Sequence, residues 1–107
     1  MIIDTHSHLQ FKAYDEDREQ VIARAKEVGI VCIAVGTKLQ TSQKAVELAE
    51  QHPGIYAAIA LHPIHLKTDS IKARVDEDEG GFVPASEDFI EAEYEKLAQS
   101  KKVVAVG

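Results

Sequence analysis

Short apolar runs rich in β-branched residues alternate with stretches whose apolar residues recur at helical spacing, and that alternation leaves few folds open. Ile2 to Thr5, Ile30 to Gly36 (IVCIAVG), Ile55 to Leu61 (IYAAIAL) and Lys102 to Val106 (KVVAV) read as strands, the middle ones as strands buried on both faces. Asp15 to Val28 reads as a helix with Val21, Ile22, Ala25 and Val28 on one face. A second helix runs from about Thr41 to His52, with Ala45, Val46, Leu48 and Ala49 on its apolar side. Gly29 and Pro53-Gly54 stop these two helices. A third runs from about Glu87 to Ser100, with Ser86 as its N-cap and Phe89, Ile90, Tyr94 and Leu97 facing inward. Strands that alternate with helices build βαβ units, so the class is α/β with a parallel sheet, either doubly wound and open or closed as a (β/α)8 barrel. About four parallel strands with three helices do not close a barrel of about 250 residues. On the barrel reading, residues 1–107 are one incomplete domain, the N-terminal part of a (β/α)8 TIM barrel.

Composition narrows the function. Apolar residues are 45% and charged residues 28% of the 107, a balance that excludes disorder. No apolar run approaches the roughly 18–20 residues of a membrane span, and the N-terminus lacks the basic flank and cleavage region of a signal peptide. A cytoplasmic protein with no membrane partner is expected. The one cysteine, Cys32, lies inside an apolar run and reads as a small buried hydrophobe, in keeping with a reducing compartment. A net charge of −6 disfavours a protein that coats nucleic acid through counterion release. It leaves open an enzyme that grips a nucleic-acid end through a few local contacts and metal ions.

Lys67 to Ala85, with its acidic run DEDE, Gly80-Gly81 and Pro84, is a long βα loop. It reads as a solvated insertion, with a substrate-facing lid as the alternative.

Overlapping the end of the first strand stands DTHSHL, Asp4 to Leu9. If the strand stays extended through Leu9, Asp4, His6 and His8 share one face, and both imidazoles emerge at the C-terminal end, where parallel α/β proteins place their sites. Two converging imidazole nitrogens suit Zn2+, Mn2+, Fe2+ or another divalent ion. Asp4, deeper on that face, reads as a carboxylate that orients His6 or that accepts from backbone amides at the strand end. A second pair lies in LHPIHL, Leu61 to Leu66. His62 follows the small residues Ala58 and Ala60 on its face, so it has room to meet the first pair as an outer-shell group or a phosphate donor, or else it bonds to backbone as a loop histidine. His65 is less constrained, and His52 reads as a dipole partner at a helix C-terminus.

Taken together, DTHSHLQF, AKEVGI with AVGT, SQKAVELAEQHP, IYAAIALHP and VVAVG resemble the opening segments of TatD-type metal-dependent deoxyribonucleases over nearly the whole chain. PHP phosphoesterases and amidohydrolases also begin with a D-x-H-x-H strand. The former carry T-D-H at strand two where this chain has AVGTK, and the latter enter the motif through a P-G turn. The TatD resemblance implies a TIM barrel in which His6 and His8 bind a divalent metal and His62 is the strand-three histidine near the site, with His65 and Asp4 as substrate-binding or outer-shell residues. It implies divalent cations (Zn2+, Mg2+ or Mn2+), two in the intact enzyme, and DNA as the substrate of phosphodiester hydrolysis. Gln10 replaces the family's usual acidic or Asn residue, Ile64 interrupts the usual H-P-H, and the sequence given ends before the family's G-E-x-G-L-D segment. No residue of the chain is therefore assigned a catalytic role, and the 107 residues alone are expected to lack the ligands for full activity. The alternative is a non-catalytic metal-binding half-barrel, or a subunit that self-associates through its open strand edges.

Overall fold

The computed structural model describes residues 1–66 and 87–107. Strands β1 (Ile2–Ser7), β2 (Ile30–Val35), β3 (Ile55–Ile59) and β4 (Val103–Val106) form one parallel sheet in the order β1-β2-β3-β4. Helices α1 (Arg18–Glu27), α2 (Leu39–Gln51) and α3 (Glu91–Ala98) connect or flank them, and short 3-10 turns occupy Lys12–Tyr14 and Pro63–His65. The strand order never reverses, so the described sheet has no switch point and winds in one direction, as the wall of a (β/α)8 barrel does. The acidic segment 67–85 and the Ser86 cap lie outside the described residues.

One face of the sheet is covered and the other is open. Cys32 and Ala34 of β2 and Ile55, Ala57 and Ile59 of β3 pack with Ala45, Val46, Leu48 and Ala49 of α2 in a single buried cluster. Ala34, Ala45, Ala49 and Ala57 are wholly buried, and their small size lets α2 lie close on the strands. The opposite face carries Ile3 and Val31, which are paired across β1 and β2. Ile3 is half exposed there, because β1 is an edge strand with a neighbour on one side only. Among the described residues no helix is long and apolar enough to cross a membrane.

Each helix is shorter or shifted relative to the sequence pattern. Arg18, rather than Asp15, opens α1, because the chain before it takes a 3-10 turn stapled by the Arg18 guanidinium to the carbonyls of Leu9 (2.6 Å) and Phe11 (2.8 Å). Val28, expected to face inward, is the C-cap of α1 and stands exposed, and Gly29 follows at φ +75°, a conformation that favours glycine. Helix α2 begins at Leu39 because Thr41 Oγ1 accepts from the amides of Thr37 (2.8 Å) and Lys38 (3.0 Å), completing the N-terminal turn earlier. Helix α3 begins only at Glu91, since Ile90 is extended. Phe89 and Ile90, expected inside, are consequently exposed, whereas Tyr94 is buried and Leu97 packs against the core.

Tyr94 joins α3 to the end of β3 through its hydroxyl, which donates to Ala60 O at 3.2 Å and lies 3.3 Å from Glu87 Oε2. Burial, followed by the charge of Glu87 and its hydrogen bond, pushes the phenol well above its usual value. The folded state therefore keeps a proton that the unfolded state releases above pH ~10, so stability must fall as pH rises past that point. Urea unfolding at alkaline pH should show this decline in the native chain and a shallower one in Tyr94→Phe; equal slopes would contradict it.

Candidate functional site

Strand β1 does not stay regular up to the histidines. Asp4 pairs with Cys32 and Ser7 with Ala34, so three residues of β1 advance against two of β2 and the register shifts between them. Paired residues of parallel strands point to the same face, and Cys32 and Ala34 face the helices. Asp4 and Ser7 therefore belong to the helix side, while His6 and His8, on either side of Ser7, share the open side. The expectation that Asp4 shares a face with the histidine pair, deep in the strand, is corrected: the bulge puts it on the opposite side, exposed, where its Oδ1 accepts from the backbone amide of His6 at 3.1 Å. Its charge is felt by the Cys32 thiol, which burial first and Asp4 second push upward. The strand itself ends at Ser7, and Phe11 N closes a turn on His8 O at 2.9 Å.

The open side ends in a cleft of about 340 Å³ whose lining includes His6, His8, His62 and His65. The His6 and His8 rings meet edge to face with centroids 5.0 Å apart, and His8 stacks on Phe11 at 4.4 Å. His8 Nδ1 lies 2.8 Å from Val35 O. A carbonyl only accepts, so Nδ1 carries the proton and the neutral ring keeps its lone pair on Nε2. That is the form in which a histidine ligates a divalent ion.

His62 shows the reverse arrangement. Its Nδ1 accepts from Ile64 N at 3.1 Å as the cap of the 3-10 turn, so the neutral ring carries its proton on Nε2. The backbone bond foreseen for a loop histidine is present, and the ring still lines the cleft with the first pair. His65 also lines the cleft and is 1% exposed, its amide bonded to His62 O and its carbonyl to Glu87 N. His52 stands apart, at the end of α2, with Nε2 3.2 Å from Glu19 Oε1.

The donor set suits a divalent ion as a pair of imidazoles and not as a complete shell. Among the described residues no three His, Cys, Asp or Glu side chains stand close enough to hold a metal. Structural and catalytic zinc sites normally draw at least three ligands from protein.

Sequence pattern passed over Phe11 and marked Gln10 only as a departure from the family pattern, with no role. Phe11 is 4% exposed and supplies the platform for His8, and Gln10 is 5% exposed with its Nε2 2.9 Å from the same Val35 carbonyl. The signal was a lone amide between two apolar residues, Leu9 and Phe11, immediately after the histidine pair.

Comparison with known proteins gives the lineage. The family model described as TatD related DNase matches residues 3–107. An uncharacterized metal-dependent hydrolase of Bacillus subtilis is 43% identical over 65 residues, 60% of this chain and 26% of its own length. Two proteins named 3'-5' ssDNA/RNA exonuclease TatD are 31% identical over 99% of this chain and 35% of their own length, one from Pantoea sp. and one from Salmonella typhimurium. The chain thus spans between 26% and 35% of the length of these curated relatives.

Proposed function

The chain belongs to the TatD related DNase family, and from that premise we propose that it forms the metal-binding opening wall of a deoxyribonuclease that hydrolyses phosphodiester bonds in DNA from an end. The observation that carries this reading is the convergence of His6 and His8 on the open side of the strand ends, with the Nδ1 of His8 tied to Val35 O. His6 and His8 hold the first divalent ion, Zn2+, Mg2+ or Mn2+, and the intact enzyme holds two. When bound, the metal would supply activation of water, by lowering its pKa, and polarisation of a phosphoryl oxygen.

The chain's own part is binding and orientation. Phe11 fixes the His8 ring by stacking, and the Val35 carbonyl fixes its tautomer. With Nδ1 occupied by Ile64 N, His62 presents Nε2–H to a phosphate oxygen of the scissile or neighbouring link. Hydrogen bonds to charged groups are worth about 1.5–3 kcal/mol. His62→Ala in the full-length enzyme is therefore expected to raise KM roughly 10–100-fold with metal affinity unchanged. Loss of metal in that variant would move His62 into the ligand shell instead.

Labelled single-stranded DNA and RNA, incubated with a full-length protein that carries this segment, test the main reading. Products shortened stepwise from one end, dependent on divalent metal and abolished by chelator, are expected with DNA. Cleavage without metal would overturn the proposal, and cleavage of RNA alone would replace the substrate. Residues 1–107 by themselves should turn over at background, since they offer an imidazole pair where three protein ligands are the norm.

A second reading rests on the exposed β1 edge, where Ile2 is 65% and Ile3 50% exposed. Here the chain is a half-barrel subunit completed by a second copy. Sedimentation of the 107-residue chain decides it: a discrete dimer supports this reading and a stable monomer removes it.

A further inference from the structure

Gln10 is nine-tenths buried beside the histidine pair, and its contacts are unusual for a side chain so placed. Its Nε2 donates to Val35 O at 2.9 Å and lies 3.4 Å from Thr41 O, so one NH2 group spans the end of β2 and the first turn of α2. The amide orientation is forced, because turning it over would bring its oxygen against two carbonyl oxygens. Its Oε1 is left without a hydrogen-bond partner among the described residues. A buried acceptor left unmade is costly, and here it accompanies the placing of both N–H groups on backbone carbonyls. One of those carbonyls is the acceptor of His8 Nδ1.

We propose that Gln10 is a positioning residue for His8: its amide anchors the Val35 carbonyl, and the anchored carbonyl holds the His8 proton on Nδ1 and keeps Nε2 for the ion. The inference rests on the reading of His8 as a metal ligand. In this chain the position carries an amide, which has two protons to give to those carbonyls. A glutamate there would aim negative oxygens at two carbonyls and would supply no proton to either.

The first measurement needs no substitution. In the isotope-labelled, metal-free full chain, through-hydrogen-bond NMR couplings should connect both His8 Nδ1 and Gln10 Nε2 to the Val35 carbonyl carbon. The second uses Gln10→Met, which keeps length and removes both donors. Ring nitrogen shifts should show a smaller share of the Nδ1–H form of His8, and calorimetric Zn2+ affinity should fall roughly 10–100-fold, as for loss of other outer-shell partners. Absence of the Gln10 coupling in the native chain overturns the proposal, and so does a Gln10→Met variant with native His8 tautomer and native Zn2+ affinity. His8→Ala separates the two levels. If it binds Zn2+ as the native chain does, the metal reading fails, while the coupling and the tautomer still decide whether Gln10 positions His8.

Discussion

Alanine at both His6 and His8 should abolish metal-dependent hydrolysis in the intact enzyme, with a fall of more than about 100-fold. The bound follows from comparison, since groups that only orient a ligand cost roughly 10–100-fold when lost, and the ligands themselves must cost more. Folding should survive the change. His6 is exposed and His8 part-buried, and neither belongs to the buried cluster between α2 and the strands. The His8 ring does stack on Phe11, so a modest loss of stability is expected, visible as a lower urea midpoint with unchanged far-ultraviolet dichroism. Calorimetry with Zn2+ or Mn2+ and an end-labelled DNA assay should fall together. Full hydrolysis in the double variant would remove the histidine pair from the mechanism.

The fold was legible because burial on the helix side writes itself into residue choice. IVCIAVG and IYAAIAL have little else to be than strands covered by helices, and Gly29 and Pro53-Gly54 punctuate the helices between them. Helix starts were less legible, because they depend on partners far along the chain. Arg18 opens α1 through carbonyls at Leu9 and Phe11, and Leu39 N near the start of α2 finds the carboxylate of Glu87 at 2.9 Å. Neither bond has a local pattern. Phe89 and Ile90 show the converse, apolar residues at helical spacing that stand before the helix begins.

At the site, the meeting of His62 with His6 and His8 was legible from strand ends, since a parallel sheet gathers its C-terminal ends on one side, whereas His65 reaches the cleft from the 3-10 turn beyond β3 and had no such pattern. The side on which Asp4 falls was not legible. Strand periodicity is a rule for regular strands, and one inserted residue between Asp4 and Ser7 reverses its prediction on one side of the insertion. The tautomers of His8 and His62 were beyond sequence for a related reason. They are set by Val35 O and Ile64 N, backbone atoms whose identity as residues carries no information about the bond.

Gly36→Ala is expected to destabilise the chain by more than about 3 kcal/mol, a large part of the ~5–15 kcal/mol that holds a domain folded. Val35 pairs with Ala58 on the open side, so Gly36 faces α2, and a Cβ there would collide with Ser42 Oγ and sit 2.6 Å from Ser42 Cα and 2.8 Å from Ser42 Cβ. A rotamer change relieves only the first of these clashes. The second is with backbone, so the first turn of α2 has to move, and overpacking of this kind costs about 1–3 kcal/mol, occasionally more. Ser42 is also wholly buried, with its Oγ accepting from Ala60 N at 3.1 Å and donating to Ala60 O at 3.2 Å, so displacement strips Ala60 N and the Ser42 hydroxyl of a partner, while Ala60 O keeps the Tyr94 hydroxyl. Each unsatisfied buried group adds about 1–3 kcal/mol. Ser42→Gly placed behind Gly36→Ala removes the clashing side chain and leaves the clash with the backbone of residue 42, so it should restore only part of the loss. Equilibrium urea unfolding reads all three chains, and a Gly36→Ala midpoint equal to native would refute the close approach. The consequence reaches the cleft, because Thr41 adjoins Ser42 and its carbonyl is a partner of Gln10, whose amide also holds the carbonyl of Val35, one residue before Gly36. A helix pushed outward at Ser42 should therefore loosen His8 as well, and Zn2+ affinity should fall in any fraction of the variant that remains folded.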